Sequence, residues 1–207
     1  MCARSITNTT QMRLRIAQEA ARIMAEEGVH DFLSAKRKAA ARLGAADTRH
    51  LPRNTEIEQA LIDYQRLFQP GVHAHRLERL RGAALESMRF FNRFDPRLVG
   101  SVLSGTANEH SDVNLHLFAD TPEDVVLFLM QEHIPFQTSE RRLRLTHQSS
   151  EMYPVYRFMA GDTTIDLTVF PRAGLRQAPL STVDGKPMRR ASVTALRELM
   201  ETGREGK

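Results

Sequence analysis

Apolar residues fall along the first ninety positions at the three- and four-residue spacing of amphipathic helices, and further on the spacing tightens to two. Ile16, Ala20, Ile23 and Met24 share one face of a helix predicted from a Thr9 or Thr10 cap to about Glu27, with Gly28 as its stop. A second helix is predicted over Asp31 to Leu43. A third starts at an Asn54 cap, carries Ile57, Ala60, Leu61, Tyr64 and Phe68 as its stripe, and ends at Pro70-Gly71. A fourth spans about His75 to Asn92, with Leu77, Leu80, Ala84, Met88 and Phe91 on one side.

Strand patterning follows. Leu98 to Leu103 reads as a strand or turn, and Ser111 to Phe118 alternates cleanly. Val113, Leu115 and Leu117 point one way there, and Asp112, Asn114 and His116 the other. Thr121-Pro122-Glu123 opens a helix, Ile134 to Phe136 resumes the sheet, and Arg141, Leu143 and Leu145 alternate with Arg142 and Arg144. Pro154 to Met159 turns at Ala160-Gly161-Asp162 into a strand over Thr163 to Phe170. In that strand Ile165, Leu167 and Val169 suit a core, while Thr164, Asp166 and Thr168 face away from it. A polar loop from Gly174 to Pro187 precedes a last helix over about Ser192 to Thr202. The expected class is α+β: a helical N-terminal region over residues 1–70, then a core over 71–207 with a small mixed sheet flanked by helices.

Composition narrows the setting. Of 207 residues, 41% are hydrophobic and 26% charged, which is ample for a buried core. No apolar run approaches about 18 residues, so no membrane span is expected. The first residues lack a signal peptide's apolar stretch, and the lone cysteine, Cys2, has no internal partner, so a cytoplasmic, soluble protein is expected. The net charge is +4. Residues 1–53 hold ten Lys or Arg against five Asp or Glu, so this segment alone is a candidate surface for nucleic acid or an acidic partner. Zinc is disfavoured without a Cys pair, and Gly185-Lys186-Pro187 is no phosphate loop.

Three pieces carry the chemistry: Val99-Gly100-Ser101, then Asp112-Val113-Asn114-Leu115, then the solitary Asp166. A Gly-Ser turn lets backbone N–H groups approach a phosphate. Residues at i and i+2 on a strand share a face, so side chains there can share a metal ion. Asp112 and Asp166 meet in one cleft only if their strands lie side by side in register.

In order and spacing these pieces resemble the nucleotidyltransferase superfamily related to DNA polymerase beta, over roughly residues 75–170. The resemblance implies transfer of a nucleoside monophosphate from a Mg²⁺- or Mn²⁺-bound nucleoside triphosphate, taken as ATP, to an acceptor that is RNA, protein or a small molecule. It implies phosphate contacts from Gly100 and Ser101, and metal binding and catalysis from Asp112 and Asp166. Arg141 and Arg142 are the candidate triphosphate contacts, and Arg189 and Arg190 are expected to reach back to the cleft. Asn114 departs from the pattern, because the family has a carboxylate there; it would be a neutral metal ligand. Three readings stay open: an enzyme working with two carboxylates, substitution by another acid such as Glu109, or a module that binds without transferring. Neither the base, the acceptor nor the oligomeric state is encoded legibly.

Overall fold

A computed structural model describes residues 2–45 and 51–205, with side chains described from residue 10 to 202. Contacts divide the chain into two units. One comprises the described residues of Met1–Ala74 with the short segments Asn108–His110 and Thr182–Asp184; the other holds the rest. The architecture is α+β, with a helical N-terminal region and a mixed sheet.

The first unit is built on α1 (Cys2–Glu26), α2 (Phe32–Arg42) and α3 (Asn54–Phe68). Helix α1 begins earlier than the threonine pair suggests, so Thr9 and Thr10 lie inside it. Gly28 sits at φ 67°, the left-handed region that ends a helix and that glycine adopts without penalty. Asp31 caps α2 by accepting the Ser34 N–H at 2.7 Å. Asn54 does not cap α3. Its place is taken by Glu56, whose carboxylate accepts the Arg53 N–H at 2.6 Å, and the Asn54 amide donates to the Thr182 carbonyl instead. The Asn108 amide donates to the Met24 carbonyl at 2.8 Å, which fastens its segment to this unit.

The core here is small-residue packing. Ala17, Ala20 and Ala21 of α1 and Ala35, Ala39 and Ala40 of α2 are buried beside Ile16, Ile23, Ile57 and Leu61. Alanines on facing helices allow close approach, so the seam has little room for larger side chains. The basic run of α2 is partly engaged within the unit: Lys38 pairs with Glu27, and Arg42 with Glu19 and Glu27.

Helix α4 (Pro70–Phe90) starts at the proline that was expected to end α3. A proline lacks the N–H that the first turn leaves unused, so it suits a start as well as a stop. The boundary between the two units falls inside this helix. The second unit continues with β1 (Arg97–Val99), α5 (Ser101–Ser104), β2 (Val113–Ala119) and α6 (Pro122–Gln131). After them come β3 (Gln137–Arg144), β4 (Ser150–Ala160), β5 (Thr163–Pro171) and α7 (Val193–Glu205). Residues 134–136 are not a strand. His133, at φ 56°, closes α6, and the chain needs that stretch to reach the sheet, although Ile134 and Phe136 still pack on the core.

The five strands run in the order β1-β2-β5-β4-β3, with β2 and β5 parallel and the other neighbours antiparallel. One face is apolar. Val113, Leu115, Leu117, Ile165, Leu167 and Val169 form a single cluster with Leu80 and Met88 of α4, Phe91, Val125 and Leu129 of α6, and Leu196 of α7. Every one of these strand residues is at most 2% exposed, so the alternation in sequence sorts residues between the two faces, although both faces of β2 and β5 are largely buried. The opposite face carries the polar residues. No helix among the described residues is long and apolar enough to cross a membrane.

The alanine seam makes a direct prediction. Ala39→Leu adds three carbons where exposure is 0%, and should destabilise the helical unit by about 1–3 kcal/mol through overpacking. Urea denaturation followed by circular dichroism would check it, with a shift in midpoint at unchanged slope as the expected result.

Candidate functional site

The parallel pairing of β2 and β5 sets Asn114 directly beside Asp166, and the antiparallel β4–β5 pairing sets Arg157 on the other side of Asp166. Val99 lies across from Asn114 on β1, so the residue before Gly100 begins the same row. Asp112 immediately precedes β2 and lies on the same face as Asn114, two residues on. The three motif pieces therefore converge on one patch of the polar sheet face.

Gly100 turns the chain there with φ 74° and ψ −155°, a combination that side chains strongly disfavour. Its missing Cβ would stand 3.6 Å from the Asn114 amide nitrogen, which is ordinary contact, so the backbone and not the space requires glycine. Ser101 opens the single turn of α5.

The two acids are held by arginines. Asp166 is 1% exposed. Arg141 grips it with a two-pronged fork, Nη1 to Oδ1 and Nη2 to Oδ2, each at 3.0 Å, and Nη1 also donates to the Thr168 hydroxyl at 3.1 Å. Arg157 Nη2 donates to Asp166 Oδ2 at 3.2 Å and lies 3.6 Å from Asp112 Oδ2, so one guanidinium nitrogen spans both carboxylates. Such fork geometry is the strong form of ion pairing, and burial strengthens it further. Asn114 turns its amide nitrogen to the Asp112 carbonyl at 3.1 Å.

Farther along the same face, His116 is 2% exposed and lies 4.6 Å, ring to ring, from Phe170. Arg190 Nε donates to His116 Nδ1 at 3.0 Å, Arg190 Nη1 donates to the Gly174 carbonyl at 2.7 Å, and the guanidinium rests 5.0 Å from the rings of both Phe118 and Phe170. No carboxylate among the described residues pairs with Arg190. Burial, then the charge of Arg97, pushes its pKa down to about 10. Burial, then the charges of Arg190 and Arg141, pushes His116 down to about 3, so its ring is neutral with Nδ1 as the acceptor.

Placement of the remaining candidates is uneven. Arg142 pairs across from Met152 and, by alternation, lies on the face opposite Arg141. Glu109 is paired with His110 in the segment that belongs to the helical unit. Arg190 does lie on the polar face. Arg157 was missed, yet a signal existed: counting outward from the tight Gly161-Asp162 turn puts Arg157 opposite Asp166. Among the described residues no group of three or more His, Cys, Asp or Glu side chains is arranged to hold a metal ion. A separate open groove of about 740 Å³ runs along α1 and α3, lined by Leu14, Tyr64, Leu67 and Phe68 among others. It is mainly apolar, and Arg13 on its lining is paired with Glu56. The groove thus offers no phosphate chemistry despite its size, and the sheet face is the better candidate.

No protein-family model matches the chain, and no curated protein matches it either. The likeness to nucleotidyltransferases therefore stands on the motif residues themselves.

The neutral His116 predicts an acid-labile unit. Its folded pKa lies below the unfolded value of about 6.5, so the unfolded chain takes the proton first and stability falls as pH drops from about 6.5 towards 3. The slope from this one group should approach about 1.4 kcal/mol per pH unit. In urea titrations between pH 7 and pH 4.5, His116→Gln should remove that slope; an unchanged pH dependence would mean that the ring is not buried neutral.

Proposed function

We propose that this chain is a catalytically degenerate nucleotidyltransferase-fold protein, one that binds a nucleoside triphosphate on the polar sheet face without transferring its nucleotidyl group. The observation that carries this reading is the Arg141 fork, which occupies both oxygens of Asp166.

The fit to a Mg²⁺ pair is poor on the donors themselves. Mg²⁺ wants carboxylate oxygens in near-octahedral geometry and surrenders its waters reluctantly. Of three expected ligands, Asp166 is buried and forked by Arg141, Asp112 is shared with Arg157, and Asn114 brings no negative charge. Two carboxylates against two guanidinium groups leave little net charge to attract a divalent cation. A metal would have to break a buried ion pair, and stranding a buried charge costs on the order of 3–5 kcal/mol. The residues that remain suit binding: Gly100 lets the backbone approach a phosphate, and the exposed parts of Arg141 and Arg157 supply N–H donors.

One observation favours the transferase reading instead. Asp112 and Asp166 lie close enough for a single nitrogen to reach both, and a rotation of the half-exposed Arg157 would free Asp112, although Asp166 would stay in the Arg141 fork.

The two readings separate in one assay. The protein is incubated with each α-labelled nucleoside triphosphate, Mg²⁺ or Mn²⁺, and RNA and protein extracts, beside an Asp112→Ala control. No labelled acceptor is expected. Label that appears with the intact protein and vanishes in Asp112→Ala would make it a transferase. Asn114→Asp is expected to leave transfer absent, because restoring that acid does not release Asp166 from Arg141.

A further inference from the structure

Arg157 stands where a bridging cation would stand. Its Nη2 reaches Asp166 at 3.2 Å and Asp112 at 3.6 Å, the two acids that the motif assigns to metal. Arg141 completes the neutralisation, and both guanidinium groups belong to the chain itself. Bare carboxylates in such a cleft would repel a triphosphate, and either a metal ion or a guanidinium can cancel that charge. Here that repulsion is already cancelled.

The rest of the face then tips the balance to positive. Arg190 adds a charge with no carboxylate partner among the described residues. Arg97, directly across from His116 on β1, adds another, its Nη1 donating only to the carbonyls of Asp95 and Pro96. Arg157 uses Nη2 alone on the acids, and its side chain is 48% exposed, so donors are left for a ligand. A guanidinium carries five N–H groups in a planar fork that matches phosphate oxygens.

We infer that the cleft binds a phosphate-bearing anion without any divalent cation, Arg157 and Arg141 standing in for the metal pair. This rests on the reading of the sheet face as a nucleotide site, and it differs from that reading in one measurable respect: chelators should not abolish binding. The shared chemistry is a chain of phosphates, which a nucleoside triphosphate and inorganic tripolyphosphate both present.

Isothermal titration of the full chain with ATP and with tripolyphosphate, in EDTA and again in excess Mg²⁺, tests it. Binding in EDTA is expected, with affinity unchanged or lowered by Mg²⁺, which neutralises the ligand's charge. If both ligands bind in EDTA, the phosphates are what is recognised; ATP alone binding makes the source a nucleotide. Arg157→Gln should weaken binding in EDTA by about ten- to a hundredfold, the loss of one or two charge-assisted hydrogen bonds. Arg157→Lys should recover part of it, and Arg66→Gln, at an exposed position on α3, should leave affinity unchanged, which separates the cleft from general attraction to a basic protein. Thermal melts establish that each variant is folded. Binding that requires Mg²⁺ would overturn the inference and leave the nucleotide reading intact. Absence of binding under both conditions would overturn both, and an Arg157→Gln variant of full affinity would overturn the role given to the arginine.

Discussion

Asp166 lies in the middle strand of a five-stranded sheet with 1% of its surface exposed. An ionised carboxylate at such a place is tolerable only if its charge and its lone pairs are met, since a buried unpaired charge costs several kcal/mol. Arg141 meets both oxygens and Arg157 returns to one of them. These bonds tie β3 and β4 to β5 through side chains, over and above the backbone ladder. They also decide what the cleft can do, because lone pairs committed to a guanidinium are not open to a metal ion. Structure and chemistry thus hang on one buried ion cluster.

The same sheet face shows a division of labour along its strands. Near Gly100 and Asp112 it is charged and accessible. Four residues beyond Asp112, at His116, it has become aromatic and closed, with Phe118, Tyr153 and Phe170 packed together and Arg190 laid across the rings. The guanidinium can lie there because it is weakly hydrated and gains from aromatic faces, which an ammonium would do less well. Burial first, and the positive charge of Arg190 after it, keep His116 neutral. The ring therefore acts as a hydrogen-bond acceptor that orients Arg190, and the charge on this face stays with the arginines at every pH near neutrality.

Much of the fold was legible in the sequence, and the reasons are physical. Period-two alternation in Val113 to Leu117 and Ile165 to Val169 translates directly into one apolar face, since a strand has only two sides, but it did not reveal that the polar face is largely buried as well. The stripe of Leu80, Ala84 and Met88 likewise lies in the core. Termini were less legible, because the same residue serves two purposes. Pro70 can stop a helix or start one, and Asn54 found a distant carbonyl while Glu56 took over the capping. The motif acids were visible as residues, but their partners were not. Arg141 and Arg142 are alike in sequence and are separated only by the parity of β3, which depends on a register that long-range pairing fixes.

Arg157 shows where the information was hidden. Its neighbours in sequence, Tyr156 and Phe158, read as core, and a lone arginine between them reads as a solvated strand residue. Only the two-residue turn at Gly161-Asp162 fixes its place opposite Asp166. Once it is there, the Asn at position 114 takes on a different meaning. A third carboxylate beside Asp112 and Asp166 would leave three negative charges against Arg141 and Arg157, whereas Asn114 keeps the count even and still supplies a hydrogen bond, to the Asp112 carbonyl. Read singly, Asn114 looks like damage to a metal site. Taken together with Arg157, it leaves two carboxylates facing two guanidinium groups, a cluster whose charges are met by the chain's own side chains.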